Sequence, residues 1–412
     1  MNLAWLSLAA LLVAIVLSCV TQLNVGILGL GFAWVVGVYV AGMPLNDVLA
    51  GFPVQLFVML AGVTLLFAQA QGNGTLDKLA RRAVGLCGGN LGLVPIMFFL
   101  LASVIASAGP GHIATAAMLA PMAMPMAART GIPLFVMAIM VGNGAQAGSL
   151  SPFAPTGVIV TGITNRIQMP GHEWYWFWTS YAAHAVTALG AFVLFGGWRM
   201  FGKRMDVSAE VSAAEDGLAW QHWVTLAAMI GVIAAVLAVN ANVGLAAFLA
   251  AGVLAVLGVA DHDQAVKRMP WTAIVMVTGV SVLIALLEKT GGLELFSAML
   301  AAIASPSTVT GVVAFVTGVI SIFSSTSGVV LPTFLPTVPS IVMRLGGGDP
   351  LAIIASMNIG SHLVDLSPLS TTGAVCMAGI QDPVQFKKVY QRMLAWSASM
   401  TVVGAILCWI FF

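Results

Sequence analysis

The chain has 412 residues, 60% of them hydrophobic and only 7% charged, with a mean hydropathy of +1.03 and a formal net charge of +1. This composition excludes a water-soluble domain and specifies a polytopic protein of the lipid bilayer. The near-neutral balance, without a basic tract, gives nucleic acid no footing as a partner.

The first segment, MNLAWLSLAALL, lacks the Lys or Arg that opens a secretory leader, so it reads as a retained span. Apolar runs near 4–20, 25–41 and 52–71 are each long enough to cross a hydrocarbon core of about 30 Å. A short amphipathic piece follows at 75–86. Two apolar arms, 91–108 and 112–128, are joined by Ala108-Gly109-Pro110-Gly111, a link too tight for two independent spans with a hydrated loop. Residues 91–128 therefore read as a re-entrant helical hairpin. Residues 132–168 form a helix interrupted in GAQAGSLSPFAPTG (144–157), and 174–200 is the next span, entered through the interfacial aromatic run Trp174-Tyr175-Trp176-Phe177-Trp178. The polar connector 201–218 carries Lys203, Arg204, Asp206, Glu210, Glu215 and Asp216. The order then begins again: spans at 219–239, 243–259 and 270–288, a hairpin at 306–343 with its tip near Ser324-Ser325-Thr326-Ser327-Gly328, a broken helix at 350–381 and a last span at 389–411.

This recurrence is visible residue by residue. Gly144, Leu150, Ser151, Pro152, Thr156 and Gly157 reappear 216 positions later as Gly360, Leu366, Ser367, Pro368, Thr372 and Gly373. Asn24-Val25-Gly26 reappears at Asn242-Val243-Gly244, and Pro53, Met59, Gly62, Val63, Gly74 and Leu76 at Pro270, Met276, Gly279, Val280, Gly291 and Leu293. Ser107 and Gly111 find Ser324 and Gly328. The chain thus reads as two homologous units, 1–200 and 219–412, each with five crossings, one of them broken, and one hairpin. An odd number of crossings inverts the second unit. Counted on that topology, twelve Lys and Arg fall on one side and three (Arg166, Lys289 and Arg344) on the other. The first side is then cytoplasm, and both termini face the periplasm of a bacterial inner membrane. The fold class is an all-α polytopic membrane protein built from two inverted-topology repeats.

Cys19, Cys87, Cys376 and Cys408 are widely separated in or beside apolar segments, which points to buried thiols. Met118, Met122, Met124 and Met126 read as packing or lipid-facing residues.

An interrupted helix in lipid leaves N–H and C=O groups that only protein or a wet cavity can satisfy. Its half-helix N-termini suit carboxylates, and its unwound carbonyls and C-terminal ends suit a sodium ion. Candidate substrate-binding residues are Ser107 and His112 at the first tip, and Gln146 and Ser151 at the first break. Ser325 and Thr326 follow at the second tip, and His362, Ser367, Thr371 and Thr372 at the second break. Candidate sodium ligands are Ser107, Asn143, Ser149, Ser324, Asn358 and Asp365. Asp365 is the carboxylate placed at membrane depth, either a cation ligand or a protonatable group; the blander role is to cap the half-helix after Pro368. Its repeat counterpart is Ser149, so the two breaks differ chemically. The two Ser-Pro pairs shape the breaks whether or not they also ligate. With no Lys or Arg placed deep, an anion would be held by dipoles, hydroxyls and co-bound cations, which favours cation symport over uniport.

Asn73-Gly74-Thr75-Leu76-Asp77, Gly144-Ala145-Gln146-Ala147-Gly148 with Ser151-Pro152, and Gly162-Ile163-Thr164-Asn165 resemble the MatC-type malonate and dicarboxylate carriers. The likeness is most specific over 52–166. More distantly the layout is similar to the divalent-anion sodium symporters of the ion-transporter superfamily, which implies an elevator mechanism, sodium coupling and a scaffold that commonly dimerises. Those symporters carry Ser-Asn-Thr at both tips, whereas this chain has Gly111-His112-Ile113 and Ser324-Ser325-Thr326. The expected function is sodium-coupled import of malonate or a C4 dicarboxylate, without an organic cofactor. The alternatives are a proton-coupled organic-anion carrier and the large membrane subunit of a binding-protein-dependent uptake system.

Overall fold

A computed structural model of the chain describes residues 2–21, 23–204, 217–239, 241–377, 380 and 382–412. Most of the connector, 205–216, with Asp206, Glu210, Glu215 and Asp216, lies outside the described residues, as do 378, 379 and 381 of the second broken segment and the side chains of Cys19 and Arg81. Among the described residues there is no strand, only an isolated bridge between Asn90 and Arg204.

The helices fall in two matching series. Leu3–Thr21, Val25–Trp34, Val54–Gly72, Thr75–Gly85, the pair Leu93–Ala108 and Gly111–Thr130, Leu134–Gly148, Pro155–Arg166 and Glu173–Leu194 make the first. Trp220–Val239, Val243–Val256, Trp271–Thr290, Gly292–Ala302, Val309–Ser321 with the irregular arm Thr326–Leu345, Pro350–Val364, Thr371–Met377 and Pro383–Phe411 make the second. Repeated residues start corresponding helices in the same way. The Asn24 side chain accepts from Gly26 N and that of Asn242 from Gly244 N, the N-cap chemistry that satisfies an orphan donor. Pro53 and Pro270 stand just before the long helices Val54–Gly72 and Trp271–Thr290.

The halves exchange partners. Val25–Trp34 packs on Trp271–Thr290, and its counterpart Val243–Val256 packs on Val54–Gly72. Glycines make both crossings close: a Cβ on Gly26 or Gly279 would strike the backbone of the other helix, and the same holds for Gly62 and Gly244. Small residues at a helix crossing are the usual means of bringing backbones together in lipid. The cores follow this exchange. Leu8, Leu11, Val25 and Val36 are buried with Val280, Leu283 and Leu287, whereas Leu60, Leu66 and Ala70 are buried with Val232, Ala247 and Leu254.

By length and composition, four described helical segments are long and apolar enough to cross a bilayer: Val54–Gly72, Glu173–Leu194, Pro383–Phe411 and the hairpin arm Thr326–Leu345. Leu134–Gly148 and Pro350–Val364 have 15 residues each, a rise of about 22 Å against a core of about 30 Å. Each stops at an interruption and is continued by a second helix. The aromatic run is also more mixed than an interfacial belt: Trp174 and Trp178 are exposed, but Trp176 and Phe177 are buried. Cys87, Cys376 and Cys408 are buried free thiols, and Met124 and Met126 are core residues.

Candidate functional site

Both interruptions use the same local bonding. In the first, Ser149 N, Ser151 N and Ala154 N donate to the carbonyls of Gln146, Gly148 and Ser151. In the second, Asp365 N, Ser367 N and Ser370 N donate to the carbonyls of His362, Val364 and Ser367. Orphaned backbone groups are thereby paired inside the protein, the condition for irregular backbone at membrane depth. The serine hydroxyls take part in the shaping: Ser151 Oγ accepts from Phe153 N at 3.3 Å and Ser367 Oγ from Leu369 N at 3.2 Å. A Cβ on Gly157 or Gly373 would collide with the carbonyl of Ser151 or Ser367, so the repeated glycine is required by the fold of the break.

The two breaks meet. Asp365 is buried, with Oδ2 accepting from Gln146 Nε2 at 2.7 Å and from Thr372 Oγ1 at 3.1 Å. His112 Nε2, from the first hairpin tip, stands 3.7 Å from the same oxygen, and its Nδ1 is 3.3 Å from Thr156 Oγ1. The second tip closes from the other half: Thr326 Oγ1 donates to Ser361 O at 3.2 Å and is bonded to Ser321. At the first tip Gly109 adopts φ 149°, and a Cβ there would enter the Phe67 ring, so this tip requires glycine. Asp365 therefore does not cap the helix Thr371–Met377; its side chain reaches across to the other half.

The cluster keeps unpaired buried atoms, among them Asp365 Oδ1, Gln146 Oε1, Ser324 Oγ, His362 Nε2 and both side-chain polar atoms of Asn358. Buried polar groups without partners are costly, which makes this cluster the candidate site. Two unpaired oxygens, Asp365 Oδ1 and Gln146 Oε1, are of the type that holds a hard cation. Among the described residues no group of His, Cys, Asp and Glu suits a transition metal.

Residues 1–149 match the family described as dicarboxylate carrier protein MatC N-terminus. The match spans about a third of the chain, so it is a likeness of the N-terminal part. No curated protein matches the chain. Among solved structures, the YdaH transporter of Alcanivorax borkumensis is similar with a TM-score of 0.55 at 14% identity, covering 89% of this chain and 86% of that one. MtrF of Neisseria gonorrhoeae, described within a class of antimetabolite efflux pumps, is similar with a TM-score of 0.56 at 16% identity, covering 93% and 84%. At such identities the likeness is one of fold. The chain has the fold of these multi-pass membrane proteins.

The matched span contributes Ser107, His112, Asn143, Gln146 and Ser149, and Asp365 comes from the part of the chain beyond it. The residues singled out from sequence separate by environment. His112, Gln146, Asp365, His362, Thr372, Asn358 and Thr326 are buried in or beside the cluster. Ser107 joins through its carbonyl, which accepts from Ser151 Oγ at 2.7 Å. Ser149 Oγ donates to Gln146 O at 2.7 Å and Ser325 Oγ accepts from Gly328 N at 3.1 Å, so both hydroxyls serve local backbone. Thr371 is exposed and has no hydrogen bond to the cluster; it is corrected from substrate contact to helix-start residue, because its neighbour Thr372 takes the inward side.

His184 is the residue that sequence reasoning overlooks. It sits fully buried within Glu173–Leu194, with Nδ1 2.9 Å from Asn143 Oδ1 and its ring 6.4 Å from that of His362, which in turn lies 6.1 Å from His112. An ionisable side chain inside an apolar span was its one visible signal. Asn143 Nδ2 bonds its own helix at Ile139 O, so the amide orients His184 and does not reach Asp365. Asn143→Ala and His184→Ala should each destabilise the protein by about 1 kcal/mol, and the double variant by little more than the worse single one. Thermal unfolding of the purified variants checks this, and strict additivity would refute the pairing.

Proposed function

We propose that this protein is a secondary carrier that moves a small dicarboxylate together with sodium by an elevator motion. The observation that carries this reading is the convergence of both interruptions and the first hairpin tip on Asp365, with the second tip bonded to Ser361 of the same broken segment and unpaired acceptors beside unpaired donors. Asp365 Oδ1 and Gln146 Oε1 would hold the cation. His112, Thr156 and Ser327 line an adjoining cavity and would face the anion. The match of residues 1–149 to a dicarboxylate-carrier family supports this substrate class.

Coupling has a simple electrostatic basis. An uncompensated buried carboxylate is expensive to carry past hydrocarbon, so the loaded site with its cation would cross and the half-loaded one would not. The hairpins and broken helices would move against a scaffold formed by the glycine-crossed helices. The halves 1–200 and 219–412 would be inverted, as the uneven Lys and Arg distribution supports. Proteoliposomes preloaded without sodium should accumulate labelled succinate or malonate when sodium is added outside. Uptake indifferent to that gradient would remove sodium coupling.

A second reading, proton coupling, is favoured by the contiguous set Asp365, His112, His362 and His184. Accumulation driven by an imposed pH gradient at equal sodium on both sides would select it over the first.

A further inference from the structure

A cavity of about 220 Å³ beside the first hairpin tip ends on a cation. It lies between that tip and the helices Val54–Gly72 and Trp271–Thr290, and its polar wall is Thr64, Gln71, His112, Thr156, Ser327 and Arg268. A smaller compartment shares Thr64, Gln71 and Arg268 with it and reaches Thr115, whose buried hydroxyl has no partner. No Asp or Glu stands in either wall, and Arg268 forms no ion pair among the described residues. Its guanidinium is seated over the end of Val54–Gly72, where a Cβ on Gly72 would lie 3.3 Å from Nη1. Thr64 and Gln71 are seven residues apart on that helix, a rise of about 10 Å. The cavity wall therefore combines hydroxyls and an imidazole, the apolar side chains of Leu60, Ile274 and Val277, and a guanidinium.

The repeat counterpart of Gln71 also meets a guanidinium, one that arrives from a different element. Thr64, Gln71 and Leu76 correspond to Ser281, Glu288 and Leu293, which line a cavity of their own. There Glu288 receives Arg166 Nη2 at 2.6 Å. On the Arg268 side the repeat replaces that carboxylate with the neutral Gln71.

We propose that Arg268 receives one carboxylate of the substrate while the end around Thr156 and Ser327 receives the other, so that Arg268 sets the preference for two-headed over one-headed acids. A guanidinium fork matches a carboxylate in two parallel hydrogen bonds, which an ammonium does not reproduce. The inference rests on the dicarboxylate reading. A purely structural role is also available to Arg268, since a cation is favoured beside a helix C-terminus. That role would alter stability and leave the selectivity between acids unchanged.

The test measures binding of succinate and of its monomethyl ester to the full chain in lipid nanodiscs, for the wild type, Arg268→Gln and Arg268→Lys. Wild type should prefer succinate. Arg268→Gln should weaken succinate binding about tenfold or more and leave ester binding as it was, collapsing the ratio, with Arg268→Lys intermediate. Unchanged ester binding also certifies that the variant is folded. A ratio preserved in Arg268→Gln overturns the assignment alone. If the wild type binds neither acid, the dicarboxylate reading falls and takes the assignment with it.

Discussion

Asp365→Asn should reduce cation-driven uptake at least about 100-fold while leaving a folded, monodisperse protein. The substitution keeps the volume and one acceptor oxygen, so Gln146 Nε2, 2.7 Å away in the wild type, still finds a partner. What disappears is the charge. Two charge-assisted hydrogen bonds become neutral ones, each about half as strong, and the unpaired Oδ1 no longer offers an anionic ligand to a cation. A loss of roughly 3 kcal/mol in a coupled step corresponds to a rate lower by about two orders of magnitude. Initial uptake rates in proteoliposomes under an inward gradient measure the effect. Near-normal uptake by Asp365→Asn would remove Asp365 from the coupling site. Exchange of internal for external substrate at equal cation on both sides separates a binding defect from a coupling defect.

The parts of this site that can be read from sequence are those with a backbone reason to repeat. Gly144 and Gly360 recur because each faces another helix's main chain, that of Phe99 or Ala314. Gly157 and Gly373 recur because the preceding serine carbonyl leaves no room for a Cβ. Ser-Pro recurs because the hydroxyl and the missing N–H shape one turn in both halves. Such constraints act on single residues and survive divergence. Side chains that work through long-range partners leave no local trace. His184 lies on an unbroken helix and meets Asn143 only in the fold, 41 residues away. Arg268 follows Lys267 in a short polar helix and reads as one more cytoplasmic charge; only the packing of Val54–Gly72 beside it turns that charge toward a cavity. Conversely Thr371 looks equivalent to Thr372 in sequence, and helical geometry sends only the second inward.

Gly360→Val should leave little folded protein. A Cβ at this position would lie 2.5 Å from Ala314 Cα and equally near its carbonyl oxygen, atoms that cannot step aside without moving the helix Val309–Ser321. Overpacking against side chains costs about 1–3 kcal/mol, and displacement of a backbone in a crossing this close should cost more. Valine adds two methyl groups beyond the Cβ that alanine would bring. Gly252 provides the contrast. It too is a helical glycine, in Val243–Val256, but a Cβ there meets nothing within 4 Å. Gly252→Ala should therefore be neutral or stabilising by up to about 1 kcal/mol, since only the backbone entropy of glycine is removed. Thermal unfolding monitored by size-exclusion chromatography in detergent distinguishes them: a low melting point or aggregation for Gly360→Val, and one at or above wild type for Gly252→Ala. Equal behaviour of the two would mean that the crossing is looser than drawn. Asp365 sits five residues further along the chain, about one and a half helical turns, so the same clearance that admits glycine at 360 fixes where the carboxylate meets Gln146.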